Sequence, residues 1–196
     1  AYVSGLPEVN LVLELYDGAG ALLARVDGGG DGEGEQLGPM ALPEGESYLR
    51  VRPLWVEGLP IPGGTPAAYA LDVDVGAPAP GVELEPNDEP ANAHAVSVPG
   101  ELRGHLSSVQ DKDWVQIAGR AGAEIDVVVE PVPDVDLELQ IEGQAPRNKT
   151  GPNERETLTA KIGDDGTLRF AIGERPRKAG PPPDRHKPWV VRVSPK

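Results

Sequence analysis

Apolar and polar residues alternate with a period of two along most of the chain, and this pattern predicts β-strands. In each alternating segment Val, Leu, Ile or aromatic residues fill one face and charged residues fill the other. Only residues 89–96 have a composition compatible with a short helical turn. The alternating segments are 9–17, 47–54, 68–75, 114–119, 125–131, 135–143, 167–173 and 188–195. The sequence therefore predicts an all-β fold.

The predicted strands of the first half of the chain recur in the second half. LPEVNLVLELY is matched by VPDVDLELQIE, ESYLRV by DGTLRF, and AYALDV by PWVVRV. The second match aligns Leu49 with Leu168, and the third aligns Tyr69 with Trp189. Because the offsets are all close to 120 residues, the pattern indicates two copies of one β unit in tandem. The matched ranges are 6–16 with 132–142, 46–51 with 165–170, and 68–73 with 188–193.

The two copies differ in length. The sequence predicts a complete β-sandwich over 83–196, a linker over 77–82, and a partial sandwich over 1–76 that lacks any counterpart of residues 83–131. Half a sandwich leaves an apolar face and strand edges uncovered. We therefore expect the first copy to be covered by upstream residues, by the second copy or by another chain.

Composition and charge exclude several classes of function. A net charge of −14 makes binding to a phosphate backbone unfavourable, so nucleic acid is not an expected partner. The chain has no cysteine, which excludes disulfides and thiolate metal sites. No apolar run approaches the ~18 residues that a membrane span requires, so we expect no membrane insertion.

The acidic stretch GVELEPNDEP, residues 81–90, is the strongest candidate for a binding site. In an extended segment alternate side chains share one face, which groups Glu83, Glu85 and Asn87. Asp88 follows at a predicted bend. Oxygen-bearing side chains without His or Cys are suited to Ca²⁺, which takes about six to eight oxygen ligands. Four side chains are too few for that coordination number.

The natural second contributor is the segment QDKDW. There we expect Asp111 and Asp113 to face the acidic stretch, while Trp114 points the opposite way into the core. Two alternatives to a metal site remain open. Asn87 and Asp88 are residue types that cap turns through their own backbone, and the whole stretch also fits a solvated acidic linker.

These motifs, taken in order, resemble the bacterial pre-peptidase C-terminal domain family, which supplies accessory modules to many secreted proteases. That family is similar to the collagen-binding domain of clostridial collagenases. The resemblance rests on ELEPNDEPANAHAV, residues 83–96, followed by GHLSSVQDKDWVQI, residues 104–117. The later motifs of the family follow in order up to residue 193 and recur within 1–76.

The resemblance implies a jelly-roll-like β-sandwich with calcium bound where the acidic segment docks on it. The first four family ligands then correspond to Glu83, Glu85, Asn87 and Asp88. The D-x-D position corresponds to Asp111 and Asp113. Collagen binding does not carry over, because it uses surface tyrosines and the second copy contains no Tyr.

A long Pro-rich loop precedes the last strand of each copy, at 53–68 and at 173–188. One interpretation is recognition of polysaccharide or protein, with Trp55 as an anchor in the first loop. The other interpretation is a tolerated hairpin insertion, which we favour because the two loops share no chemistry. The basic candidates in the second loop are Arg175, Arg177, Lys178, Arg185 and Lys187.

Catalysis has little support in the sequence. His94, His105 and His186 show no metal-ligand spacing, and no G-x-S-x-G elbow is present. We therefore expect a non-catalytic accessory module of a secreted, periplasmic or cell-surface bacterial protein, with Ca²⁺ as candidate cofactor. It would space, stabilise or target other modules of the same precursor or a partner protein. The alternatives are a binding module that uses the two loops, and a structural subunit that a neighbouring chain completes.

Overall fold

The computed structural model describes residues 1–55, 58, 67–77, 79–176 and 187–196, and its regular structure is almost entirely β-strand. The helical structure in these ranges is a single 3-10 turn, Pro90–Asn92. The all-β prediction is therefore confirmed. Among the described residues no helix has the length and apolar character needed to cross a membrane. The chain divides into two compact units, which are here called unit 1 (residues 1–77) and unit 2 (residues 78–196).

Unit 1 contains two three-stranded sheets. Its strands are β1 (Tyr2–Val3), β2 (Leu11–Asp17), β3 (Leu22–Val26), β4 (Glu35–Gln36), β5 (Ser47–Pro53) and β6 (Leu71–Asp72). The sheet orders are β4-β1-β6 and β3-β2-β5. The apolar core of unit 1 is small and consists of Val3, Leu6, Val9, Leu11, Leu13, Leu15 and Leu37.

Unit 2 is a β-sandwich of two four-stranded sheets. Its strands are β7 (His94–Val96), β8 (Gly100–Gly104), β9 (Lys112–Ala118), β10 (Glu124–Glu130), β11 (Leu137–Ile141), β12 (Glu156–Lys161), β13 (Thr167–Glu174) and β14 (Trp189–Pro195). The sheet orders are β12-β10-β14-β8 and β11-β13-β9-β7, and every pairing is antiparallel except that of β7 with β9.

The core of unit 2 lies between its two sheets and follows directly from the alternation in sequence. In β10 the side chains of Ile125, Val127 and Val129 are buried, while the residues between them are only partly covered. Phe170 and Trp189 are fully buried and are the largest side chains of the core. Burying an apolar side chain of this kind stabilises the fold by about 1.5–3 kcal/mol, which holds the two sheets together.

The two units share a local turn geometry before β2 and β11. Glu8 and Asp134 both have φ of 60°. In each turn the next amide, that of Val9 or Val135, donates to the carbonyl three residues earlier at 3.1 Å. This left-handed conformation is uncommon for a residue with a side chain, so its occurrence at both places supports the alignment of 6–16 with 132–142.

Strand pairing corrects one part of the predicted alignment. Leu15 pairs with Leu49 in unit 1, and Ile141, at the position that corresponds to Leu15, pairs with Phe170 in unit 2. Leu49 therefore corresponds to Phe170 and not to Leu168. The error is two residues, and a shift of two keeps the same side chains on the same face, so alternation alone cannot detect it.

Two predicted boundaries also change. The strand predicted at 68–75 is paired only over Leu71–Asp72. The linker predicted at 77–82 ends earlier, because Gly81 and Val82 already pair with Arg103 of β8. Alternation predicts which face of a segment is apolar, but hydrogen bonding depends on whether a neighbouring strand is present.

Candidate metal centre

The acidic stretch is docked onto unit 2 through its backbone. The amide of Arg103 in β8 donates to the carbonyl of Gly81, and the amide of Glu83 donates to the carbonyl of Arg103, both at 2.9 Å. Further along, the amide of Trp114 in β9 donates to the carbonyl of Asn87 at 3.0 Å. The segment thus contacts one strand from each sheet, and the interpretation as a solvated linker is wrong.

Glu83 is the most enclosed carboxylate of the stretch, with 1% of its surface exposed. Its Oε1 accepts a hydrogen bond of 2.6 Å from the amide of His105, and its Oε2 accepts one of 2.9 Å from the side-chain Nδ2 of Asn87. The capped-turn interpretation requires the side chain of Asn87 to hydrogen-bond to the backbone of its own turn, and this bond is not formed. The amide group of Asn87 binds another ligand candidate instead.

Gly104 makes room for this carboxylate, and sequence reasoning assigned it no role. A Cβ atom at Gly104 would lie 2.0 Å from Oε1 of Glu83 and 2.3 Å from Cζ2 of Trp189. Distances under about 3.0 Å are not tolerated between such atoms. The signal in the sequence was the glycine that opens the motif GHL, but nothing there indicates which side chain fills the space.

Asp113 lies on the core face of β9, together with Val115 and Ile117, and is fully buried. Its Oδ2 accepts a hydrogen bond from Nε1 of Trp189. The predicted orientation of this strand is therefore wrong. Trp114 lies on the opposite face, where it is also buried, with 6% exposed.

The structure brings the predicted ligands together into one cluster. Glu83, Glu85 and Asp113 each place a carboxylate oxygen within 4.8 Å of the others. Oδ2 of Asp111 accepts a hydrogen bond from the amide of Ser107. Asp88 and Asn87 adjoin these four carboxylates. Besides burial, the charge of Asp88 contributes to raising the pKa of Asp111, and the side-chain amide of Asn87 donates a hydrogen bond to Glu83.

Burial and mutual repulsion disfavour the charged forms of these carboxylates. Burial raises the pKa of Glu83 and of Asp113 well above the usual range, and the neighbouring carboxylates raise both further. Burial, followed by the charge of Asp111, raises the pKa of Glu85 to about 7. Burial also raises the pKa of Asp111 to about 6. Since the hydrogen bonds that reach the cluster come from neutral groups, a cation would relieve both effects.

Two buried oxygens of the cluster accept no hydrogen bond from the described residues. They are Oδ1 of Asn87 and Oδ1 of Asp113, both on fully buried residues. A buried polar atom without a partner costs about 1–3 kcal/mol, so such atoms are rare in folded proteins. A bound cation would satisfy both atoms. The donor set, made only of carboxylate and amide oxygens, fits Ca²⁺ and not zinc or copper.

Of the residues predicted for ligand binding, the three that the structure describes are not part of this cluster. Trp55 is in unit 1 and is 50% exposed. Arg175 and Lys187 are exposed at either end of the second loop. Arg177, Lys178 and Arg185 lie outside the described residues. The recognition role of these side chains stays a prediction.

Comparison with known proteins adds a distant likeness in fold. No protein-family model matches the chain, and no curated protein matches it. Among solved structures, the pre-peptidase C-terminal domain of a collagenase from Bacillus anthracis is similar over 55% of this chain and 100% of that domain, at 14% identity and a TM-score of 0.37. At this identity the likeness concerns the fold alone.

Proposed function

We propose that this chain is a non-catalytic accessory module of a secreted or cell-surface bacterial protein, in which a bound Ca²⁺ ion stabilises unit 2. The observation that carries the proposal is the group of buried carboxylates around two oxygens, on Asn87 and Asp113, that have no hydrogen-bond partner among the described residues. The order of the acidic and D-x-D motifs in the sequence supports the same function.

The burial of the site favours a structural role for the ion. Glu83, Asn87 and Asp113 are each at most 1% exposed, so their ligand atoms are closed off from any large substrate. Only Glu85 and Asp88, which are less buried, give the cluster access to solvent. Structural metal sites are closed in this way, whereas catalytic sites keep an open coordination position.

The ion would act by fixing the beginning of unit 2. Glu83, Glu85 and Asn87 come from the docked segment, whereas Asp111 and Asp113 come from the sandwich itself. A cation shared between these two groups holds residues 81–88 against β8 and β9. Because it binds only the folded state, it stabilises unit 2 by mass action.

Scanning calorimetry of residues 1–196 tests this function. With calcium at about one hundred times its dissociation constant, unit 2 gains about 2.7 kcal/mol, which raises its melting temperature by about 10 °C relative to protein in EGTA. Asp113→Asn should abolish the difference, while Asp164→Asn, a change on an exposed turn, should leave it intact. Identical melting curves with and without calcium would contradict the proposal.

A second candidate function, a subunit completed by another chain, is favoured by the surface of unit 1. Every large hydrophobic residue that is strongly exposed in the described part of the chain belongs to this unit. They are Leu22, Leu23, Leu42, Tyr48, Trp55, Tyr69, Leu71, Val73 and Val75. Concentrated apolar exposure is typical of a surface that binds a partner.

A further inference from the structure

One edge of β6, the last strand of unit 1, pairs with no described strand, whereas the same edge of its counterpart in unit 2 pairs with β8. This inference rests on the second candidate function above. Strand β6 of unit 1 corresponds to β14 of unit 2, since both are the last strand of their unit and the sequence aligns Tyr69 with Trp189. Comparing the two strands shows what β6 lacks.

The pairing of β6 with β1 has the same register as the pairing of β14 with β10. The offset of 126 residues makes Tyr2 correspond to Val128, and the offset of 120 makes Asp72 correspond to Arg192. Both pairs are direct cross-strand partners, as are the pairs one residue further along. The first copy therefore extends back to the counterpart of residue 127, and not only to the counterpart of 132 as the sequence suggested.

The described residues of unit 1 contain no counterpart of the fourth strand of this sheet. In unit 2 the order is β12-β10-β14-β8, so β14 has neighbours on both sides. In unit 1 the order is β4-β1-β6, and in the described residues β6 pairs with β1 alone. The backbone groups on the other edge of β6 pair with no described strand, so this edge has the geometry to accept a strand equivalent to β8.

The side chains of β6 are uncovered as well. In β14 the residues Trp189, Val191 and Val193 are each at most 2% exposed. The residues at the corresponding positions are exposed: Tyr69 by 47%, Leu71 by 40% and Val73 by 51%. Leu71 is the cross-strand partner of Val3, which belongs to the core, so the exposed row continues the core face of the sheet.

The charge on the other face indicates what kind of strand belongs there. Arg192 in β14 forms ion pairs with Glu101 of β8 at 2.9 Å and with Glu130 of β10 at 2.6 Å. In β6 the corresponding residue is Asp72, which has the opposite charge and forms no ion pair with any described residue. Opposite charges directly across two strands are favourable and like charges are not.

We propose that the open edge of β6 is the docking site for one extended strand of a partner protein. The strand pairs antiparallel with residues 69–73 in the register that β8 takes on β14. It is apolar on the side that faces the core, and it carries Lys or Arg opposite Asp72, where β8 carries Glu101. Strand addition of this kind is a common mode of peptide recognition, in which the backbone supplies affinity and the side chains supply specificity.

A second copy of this chain is a poorer occupant of the same edge. A symmetric antiparallel pairing of β6 with its copy, centred on Asp72, would place two aspartates across from each other. Like charges in that position are destabilising. A basic strand gains an ion pair at the same place.

Synthetic peptides that copy β8 of this chain test the proposal. The probes are a fluorescent eight-residue peptide with the sequence of 99–106 and the same peptide with Glu101→Lys, titrated into the full chain with calcium held constant. We expect the lysine peptide to bind about fivefold more tightly, from exchange of one repulsive for one attractive cross-strand pair. In the variant Asp72→Lys the preference should invert.

The controls separate this effect from general electrostatics. Asp164→Lys changes the net charge by the same amount in unit 2 and should retain the preference for the lysine peptide. Asp72→Asn should remove the preference, and it serves as a second variant if Asp72→Lys does not fold. An unchanged preference in both Asp72 variants, no binding of either peptide at millimolar concentration, or dimerisation that Leu71→Ser disrupts would overturn the proposal.

Repeating the titration in EGTA distinguishes this proposal from the metal site. The peptide preference depends only on unit 1, so it should be the same with and without calcium. Loss of the calcium-dependent melting shift, with the peptide preference intact, would contradict the metal site alone.

Discussion

Two groups of buried carboxylates in the described residues differ in their hydrogen bonds. Glu35 in unit 1 and Glu156 in unit 2 are both 1% exposed, and each accepts hydrogen bonds from the loop that precedes it. Glu35 accepts from the amides of Gly28 and Gly29, and Glu156 accepts from the amides of Lys149 and Thr150 and from the hydroxyl of Thr150. These single carboxylates are satisfied by neutral donors.

The cluster around Glu83 and Asp113 is different, because several carboxylates share few donors. Asp113 accepts one hydrogen bond, from Trp189, and its second oxygen has no partner among the described residues. A lone buried carboxylate is stable when its donors are sufficient, whereas the charged forms of a group of them are stable only beside a positive charge, and without one the group takes up protons. The comparison therefore separates carboxylates that close a loop from a cluster of carboxylates that could hold a cation.

The largest expected effect comes from filling the space beside Glu83. Gly104→Ala places a methyl group within 2.0 Å of Oε1 of Glu83. Relieving this overlap requires shifts of both Glu83 and Trp189, and overpacking of this kind costs about 1–3 kcal/mol or more. Calorimetry should show a lower melting temperature for unit 2 and weaker calcium binding.

Gly173→Ala is the matched control for this change. A Cβ atom at Gly173 would meet its nearest neighbour, the carbonyl of Asp111, at an ordinary 3.5 Å. We expect a change in stability of at most about 0.5 kcal/mol. If both alanine variants have the melting temperature of the wild type, Gly104 is not tightly packed against Glu83 and Trp189.

Neutralising Asp113 should have an effect that depends on calcium. Asp113→Asn keeps the shape of the side chain but removes a charged ligand, so unit 2 should lose about 2.7 kcal/mol of stabilisation at saturating calcium. In EGTA the same variant should be as stable as the wild type or more so, because one of several mutually repelling carboxylates is gone. Paired melting curves with calcium and with EGTA measure the difference.

Neutralising Glu156 should have an effect that does not depend on calcium. Glu156→Gln weakens charge-assisted hydrogen bonds to two backbone amides and one hydroxyl, which costs about 1.5–3 kcal/mol. The loss should be equal with calcium and with EGTA. If Glu156→Gln lost stability only with calcium, or Asp113→Asn lost it equally with and without calcium, the single carboxylates and the cluster would not differ as described.

The pH dependence of the metal-free protein tests the same cluster in the absence of calcium. Burial raises the pKa of Glu85 to about 7 and that of Asp111 to about 6, above the values of the unfolded chain near 4. The folded state therefore binds more protons than the unfolded state between about pH 4 and pH 7. In EGTA unit 2 should therefore lose stability as the pH rises through this window.

Calcium should suppress this loss, because it stabilises the charged carboxylates of the folded state. Urea unfolding at several pH values, with calcium and with EGTA, provides the comparison. Stability in EGTA that rises between pH 4 and pH 7 would contradict the raised pKa values of the cluster.

The sequence predicted which residues form the cluster because they lie in two short segments with one consistent chemistry. Their oxygens identify the type of ion, and alternation in an extended segment identifies the shared face. The orientation of β9 was predicted wrongly because Trp114 was assumed to point inward and Asp113 outward. The rule that charged residues lie on the surface and apolar residues in the core does not hold for Asp113, whose carboxylate lies in the core.

Contacts between distant parts of the chain were not predictable. The partner of Asp113 is Trp189, 76 residues away in the sequence, and Gly104 matters only because of what packs against it. The segment 68–75 shows the same limit for the fold. Its alternation correctly marks an apolar row, but only Leu71–Asp72 forms a ladder, because pairing requires a neighbour that the segment itself does not encode.

Calcium titration by isothermal calorimetry tests the central claim most directly. Protein comprising residues 1–196, stripped with chelator, should bind Ca²⁺ with a measurable heat, and both Asp113→Asn and Glu83→Gln should abolish that binding while Glu156→Gln retains it. Absence of calcium binding by the wild type, or equal binding by the Asp113→Asn variant, would contradict the assignment of this cluster as a metal site.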